Sequence, residues 1–271
     1  MSAYGGPVPT VAANGIEIYY ERAGTGPRLL FLNGSGATLE SSALVIKPFT
    51  EHFDVVAHDQ RGLGRTTIPP GPYTMTEYAA DALAVIDAVG WDTCRVVGIS
   101  FGGMVAQELA VTAPERVERL ALLCTSPGGV DTSSYPLHEL TDLSPDKRSA
   151  IYRTILDERF DEPWLAAHPI DRLIVDVLEM GSNGDVSAEV ASGRREQLEA
   201  RRRHDVVDRL GRIAAPTFVA SGRFDGIAPL SNGEAIAARV AGAQMKVYEG
   251  GHAFLVQDPA ALPEVIAFLN G

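Results

Sequence analysis

Two cysteines in 271 residues are too few for a disulfide framework or a thiolate metal site. Both, Cys94 and Cys124, sit in apolar, strand-like surroundings where a thiol packs as a small hydrophobe. Histidine is scarce as well, and His58, His138, His168 and His204 have no spacing that would gather them on a metal. No metal ion and no organic cofactor is implied. Basic charge is also short: 23 Lys and Arg face 35 Asp and Glu, for a formal net charge of −12. Such a field repels phosphate backbones and anionic lipid, which argues against a nucleic-acid role. The one dense basic run, Arg201-Arg202-Arg203, is surrounded by Glu196, Glu199, Asp205 and Asp208 and reads as a solvated helix face rather than an anion site. No apolar run has the length of a membrane span, and Met1 to Thr10 lacks a basic region followed by an apolar one, so a cytoplasmic protein without membrane contact is expected.

What is present is the composition of a globular chain with a sizeable core, 45% hydrophobic and 21% charged. Thr10-Val11-Ala12 and Ile16 to Tyr20 flank Asn14-Gly15, the turn chemistry of a β-hairpin. Continuous apolar runs follow at Leu29 to Leu32, Val55 to Ala57, Val96-Val97 and Leu120 to Leu123, as suits strands buried on both faces. Between them lie helical patterns at Thr76 to Val89, stopped by Gly90, and at Met104 to Thr112, ended by Pro114. The alternation predicts an α/β fold, a mostly parallel central sheet with helices on both faces. The same rhythm returns at Thr217 to Ala220, Asn232 to Val240, Met245 to Tyr248 and Pro263 to Leu269. From Ser126-Pro127-Gly128-Gly129 to Ile213 the strands vanish, and helical segments take over at Lys147 to Leu156, Ile170 to Met180 and Glu189 to Leu210. Apolar faces such as Leu173, Ile174, Val177 and Leu178 need a packing partner, so this stretch reads as an inserted helical cap, not a linker. The expected domains are a core of residues 1–125 and 214–271 with a cap of residues 126–213.

Chemistry concentrates at Gly98-Ile99-Ser100-Phe101-Gly102, between a buried-strand pattern and a helix pattern. A serine on that turn is strained and exposed, with small neighbours that let strand and helix approach. A serine hydroxyl alone is a weak nucleophile, so it needs a base, and the base needs an acid to hold its tautomer. Asp225 lies beyond the carboxyl end of the strand Thr217 to Ala220, and His252 beyond that of Met245 to Tyr248. All three then meet at the sheet edge where ligands of open α/β sheets bind. A tetrahedral intermediate also needs an oxyanion hole. The N–H of Phe101, at a helix start, supplies one donor, and the N–H of Ser35, in the loop Asn33-Gly34-Ser35-Gly36, supplies the other. Asn33 and Gly34 then border the substrate.

These motifs, with Asp59-Gln60-Arg61-Gly62-Leu63-Gly64, Ala113-Pro114-Glu115-Arg116-Val117 and the stretch Pro216 to Pro229, resemble the α/β-hydrolase superfamily over nearly the whole chain outside the cap. The order Ser, Asp, His is the one that superfamily uses. The resemblance implies that Asp59 and Arg61 are structural loop residues, which agrees with reading them as turn and surface charges. Asn33 at the oxyanion loop, with Gly71-Pro72-Tyr73-Thr74 before the helix, resembles the 3-oxoadipate enol-lactonase branch, although the rest of that branch's oxyanion motif is absent. The expected activity is hydrolysis of a small-molecule carboxylic ester or lactone through an acyl-enzyme on Ser100. Two other chemistries use the same triad, a cofactor-free haloperoxidase or perhydrolase and a C–C bond hydrolase. A hydrolase-shaped receptor with little turnover is the rival from another class. A homo-oligomer is compatible with the sequence, which does not single out an interface.

Overall fold

The computed structural model describes residues 9–182 and 186–271. The stretch Met1 to Val8, on which the expectation about targeting rests, lies outside the described residues. The hairpin forms as its turn chemistry requires: β1 (Thr10–Ala13) pairs antiparallel with β2 (Ile16–Ala23), and Asn14 and Gly15 take the left-handed φ values of 53° and 77°. Next come β3 (Arg28–Leu32), α1 (Leu39–Thr50), β4 (Asp54–His58), α2 (Met75–Ala88), β5 (Cys94–Ile99), α3 (Phe101–Thr112) and β6 (Val117–Leu123). After β6 the chain forms α4 (Pro145–Leu156), α5 (Glu162–Ala167), α6 (Pro169–Ser182) and α7 (Ala188–Arg202), then returns to the sheet with β7 (Thr217–Gly222), α8 (Leu230–Ala237), β8 (Gln244–Tyr248), α9 (Phe254–Gln257) and α10 (Ala261–Asn270). The eight strands run in the order β1-β2-β4-β3-β5-β6-β7-β8, antiparallel at the first two pairings and parallel from β4 onward.

Both faces of the sheet are covered, which is why its strands are apolar without alternation. Leu30, Leu32, Val56, Val96 and Leu120 turn to one side, against Tyr78, Val85, Met104, Leu109 and Ile236 of α2, α3 and α8. Leu29, Phe31, Val97 and Ala121 turn to the other, against Phe49, Val265 and Leu269 of α1 and α10. Each fully buried leucine on these faces contributes on the order of 2 kcal/mol from the area it removes from water. Thr38 and Thr74 start α1 and α2 with reciprocal capping boxes, to Ser41 and Glu77 respectively.

Between β6 and β7 no strand longer than an isolated bridge occurs among the described residues, and α4 to α7 build a small core of their own. Leu137, Leu140, Ile155, Phe160, Leu165 and Val175 pack there with Ile227, which arrives from the loop after β7. Three expectations are corrected. The helix expected from Glu189 to Leu210 stops at Arg202, with a 3-10 turn at Val207–Arg212 beyond it. The backbone of 127–129 captures the intervening chain: Val206 N–H donates to Pro127 O at 3.0 Å, and Gly129 N–H to His204 O at 3.2 Å. Of the apolar face of α6, Ile174 packs inward, but Leu173 and Val177 are 60% and 54% exposed, because only one side of that helix meets the small core. The Leu178 side chain lies outside the described residues. The third correction concerns charge: Arg202 and Arg203 are solvated as expected, whereas Arg201 is buried.

Candidate active site

The turn after β5 forces Ser100 to φ 55° and ψ −114°, a backbone region that costs about 1–3 kcal/mol for a residue with a side chain. Four hydrogen bonds hold it there. Ser100 N–H donates to Leu123 O at 2.8 Å, and Ser100 O accepts from Thr125 Oγ1 at 2.7 Å, Gly103 N–H at 2.9 Å and Met104 N–H at 3.2 Å. The two flanking glycines are obligatory on space alone: a Cβ at Gly98 would lie 2.4 Å from Gly102 O, and one at Gly102 only 2.1 Å from Leu32 O. The Gly-x-Ser-x-Gly pattern is thus the local sequence that lets α3 start directly on top of β5.

His252 Nε2 stands 2.9 Å from Ser100 Oγ, and its Nδ1 stands 2.8 Å from Asp225 Oδ2. The Asp225 carboxylate can only accept there, so Nδ1 carries the proton and Nε2 is left to accept from the serine hydroxyl. The other oxygen of Asp225 is held by Ile227 N–H and Ala228 N–H, both at 2.8 Å. Ser100 and Asp225 are buried, and the histidine is slightly open to solvent. The three residues expected to act together are therefore in one hydrogen-bonded line.

No local sequence pattern marks what holds the loops of Asp225 and His252. His252 N–H donates to Leu156 O at 2.6 Å and Gly226 N–H to Ile155 O at 2.9 Å, so the end of α4 holds both loops. Gln257 accepts from Gly251 N–H at 2.9 Å and donates to Asp157 at 2.9 Å and Asp171 at 3.0 Å. Asp157 in turn binds Arg159, whose guanidinium lies over the rings of Phe224 and Trp164. A glutamine and two aspartates scattered over a hundred positions carry no local pattern that would have marked them.

In the loop Asn33-Gly34-Ser35-Gly36, a Cβ on Gly34 would lie 3.7 Å from Ser100 Cβ, which brings this loop against Ser100. Phe101 begins α3, so its N–H has no intrahelical acceptor. Gly36 N–H is taken by Gln197 Oε1 of α7 at 2.7 Å, while Ser35 N–H donates to nothing among the described residues. Asn33 is buried, its carbonyl accepts from Gln60 Nε2 at 2.7 Å, and its Nδ2 has no partner.

Asp59 and Arg61 do structural work, as expected, but as buried groups and not as surface charges. Asp59 accepts from Leu39 N–H at 2.7 Å and Arg65 N–H at 2.9 Å, and burial pushes its carboxyl upward. Arg61 reaches Asp81 at 2.7 Å and Glu77 at 2.8 Å. Cys94 and Cys124 are free and buried. Among the described residues no cluster of three or more His, Cys, Asp or Glu could hold a metal, and no helix is long and apolar enough to cross a membrane.

A mostly parallel sheet with a serine on its strand-to-helix turn, and an aspartate and a histidine following later strands, defines the α/β-hydrolase class of enzymes. Residues 27–166 match the family model for the alpha/beta hydrolase fold, and the chain belongs to that family. It is 29% identical over 253 residues to a poly(3-hydroxyalkanoate) depolymerase from Ectopseudomonas oleovorans, covering 89% of this chain and 84% of that one. It is 24% identical over 261 residues to 3-oxoadipate enol-lactonase 2 from Acinetobacter baylyi, covering 95% and 94%. The crystal structure of the enol-lactonase from Burkholderia xenovorans LB400 superposes with a TM-score of 0.80 at 25% identity, over 97% of this chain and all of that one. The chain is thus a hydrolase of α/β type.

Proposed function

We propose that the protein hydrolyses a small carboxylic ester or lactone through an acyl-enzyme on Ser100. The observation that carries this reading is the unbroken line from Asp225 through His252 to Ser100, at 2.8 and 2.9 Å. His252 Nε2 takes the Ser100 proton as Oγ bonds to the substrate carbonyl carbon. The oxyanion that forms is met by the N–H groups of Phe101 and Ser35, in place before the reaction and so without reorganisation cost. His252 returns its proton to the departing alkoxide, which breaks the C–O bond and leaves the acyl group on Ser100. A water molecule, deprotonated by the same nitrogen, then attacks the acyl carbon, and the regenerated Ser100 leaves with the proton. Asp225 holds the ring and offsets its transient positive charge. The helices between β6 and β7 act in this reading as a cap over Ser100, with Asn33 and Gly34 bordering the substrate. Relatives with lactonase and depolymerase names support a carboxylic ester bond as the target.

The test is labelling with a fluorophosphonate, followed by turnover of para-nitrophenyl esters and small lactones. Wild type should be labelled at Ser100, and Ser100→Ala should be unlabelled, folded and slower by at least about 1000-fold. Undiminished turnover by Ser100→Ala would sink the assignment.

A further inference from the structure

The oxyanion donor proposed on Ser35 belongs to the peptide between Gly34 and Ser35, and little in that peptide holds it still. Its carbonyl makes one long hydrogen bond among the described residues, from Ala37 N–H to Gly34 O at 3.3 Å, which closes a turn with Gly36 in the left-handed region at φ 71°. A glycine on each side of Ser35 leaves the segment more rotational freedom than side chains there would allow. An oxyanion hole stabilises charge only when its donors are aimed before the charge forms. The two neighbouring peptides supply the missing constraint. Gln60 Nε2 donates to Asn33 O at 2.7 Å, on the peptide before the donor, and Gln197 Oε1 accepts from Gly36 N–H at 2.7 Å, on the peptide after it. A carbonyl opposite Gln60 and an N–H opposite Gln197 fix which end of each amide makes the contact.

The two glutamines arrive from separate parts of the chain, and a glycine contact sets them against each other. Gln60 sits in the loop after β4, and Gln197 on α7, one of the helices between β6 and β7. Gly62, two residues past Gln60, meets Gly193, one turn before Gln197: a Cβ on Gly193 would lie 2.1 Å from Gly62 O. Gly193 and Gln197 share a helix face, so this backbone contact fixes the height at which Gln197 reaches Gly36. Both glutamines are buried, and the opposite ends of their amides, Gln60 Oε1 and Gln197 Nε2, have no partner among the described residues. A residue retained for stability alone would not leave half of a buried amide unmet, because each unmet group is unfavourable.

We infer that Gln60 and Gln197 are positioning residues that clamp the oxyanion loop from both sides, so that α7 completes a hole whose donors lie in other segments. The inference rests on the reading of Ser100 as nucleophile with Ser35 N–H as an oxyanion donor. The test replaces each glutamine by methionine, which keeps the bulk and removes the hydrogen bond. On para-nitrophenyl butyrate, kcat should fall by about 10- to 100-fold in Gln60→Met and in Gln197→Met, short of the loss from deleting a donor, with KM within about threefold of wild type. Since both act on one donor, the double variant should lose less than the product of the two single losses. The inhibition constant of a short alkyl trifluoromethyl ketone, whose Ser100 adduct carries the oxyanion, should rise by the same factor as kcat/KM falls. The pH dependence of kcat/KM should match that of wild type, as the triad is untouched. A raised KM at unchanged kcat, an unchanged ketone affinity, or a shifted pH profile that traces the loss to His252, overturns the clamp. A measurement on wild type guards against a variant that folds poorly: relative to intrinsic rates, Gly36 N–H should exchange with deuterium at least about 10-fold more slowly than Ser35 N–H, and comparable rates overturn the clamp. Fluorophosphonate labelling separates the two levels. Wild-type kcat in both glutamine variants, with Ser100 labelled and Ser100→Ala inactive, removes the clamp and leaves the reaction, whereas ester turnover by Ser100→Ala removes both.

Discussion

Replacing Asp225 by asparagine changes one oxygen to an amide nitrogen, and the surroundings dictate which one. Oδ1 accepts two backbone N–H groups at 2.8 Å, from Ile227 and Ala228, so an amide nitrogen on that side would face two donors with no acceptor. The asparagine therefore keeps its oxygen there and turns its NH₂ toward His252 Nδ1, now 2.8 Å from a donor instead of an acceptor. The imidazole answers by moving its proton to Nε2, which then points at Ser100 Oγ and cannot receive the serine proton. Wrong-tautomer substitutions in serine triads cost about four decades in kcat, or roughly 5 kcal/mol at 1.36 kcal/mol per decade. Folding should be nearly unaffected, since both backbone donors stay paired. The assay is para-nitrophenyl ester turnover at neutral pH, with urea unfolding in parallel. A kcat within tenfold of wild type at unchanged stability would refute the chain of reasoning, because it would mean that His252 does not depend on Asp225 for its tautomer.

Gly251→Ala tests whether α4 aims the base: the new Cβ would lie 2.1 Å from Leu156 O and 2.6 Å from Asp157 Cβ, so the loop must retreat. Stability should fall by about 1–3 kcal/mol from overpacking, and kcat by up to about 100-fold from misplacing His252, read by urea unfolding and steady-state kinetics. A wild-type kcat would show that the contact is incidental. His204 and His58 give an acid-side prediction, because burial lowers them to about 3 and about 4 from an unfolded value of 6.5. Below about pH 6.5 the unfolded chain binds protons that the folded chain refuses, so stability falls with falling pH, by about 2 kcal/mol for the pair between pH 6 and pH 5. His204→Gln should remove about half of that slope in urea titrations at the two pH values, and an unchanged slope would exclude His204 as its source.

How much was legible followed from the range over which each feature is encoded. The hairpin at Asn14-Gly15, the buried parallel strands and the serine turn are written within five to eight neighbouring residues, and the structure has them where the pattern puts them. α1 escaped the reading, with Pro48 sitting in its last turn and interrupting the helical pattern. The length of α7 escaped it too, since its stop comes from the backbone of 127–129 and not from a local breaker. Leu173 and Val177 look like core by spacing and are solvent-facing, because periodicity marks a helix face and not what lies opposite.

The sequence by itself determined the sheet, its helical layers and the turn that strains Ser100, since local propensity, glycine spacing and apolar runs act over short distances. It also placed Asp225 and His252 at the carboxyl ends of their strands, which is enough to nominate them. Only the tertiary structure decided that both loops are held by the end of α4, that Gln197 occupies the Gly36 amide, and that Arg201, one of three adjacent arginines, is the buried one. Burial and hydrogen-bond partners depend on which distant segments meet, and successive residues at the end of a helix such as α7 point in directions about 100° apart. The partner each one finds, or lacks, is a property of the packed chain.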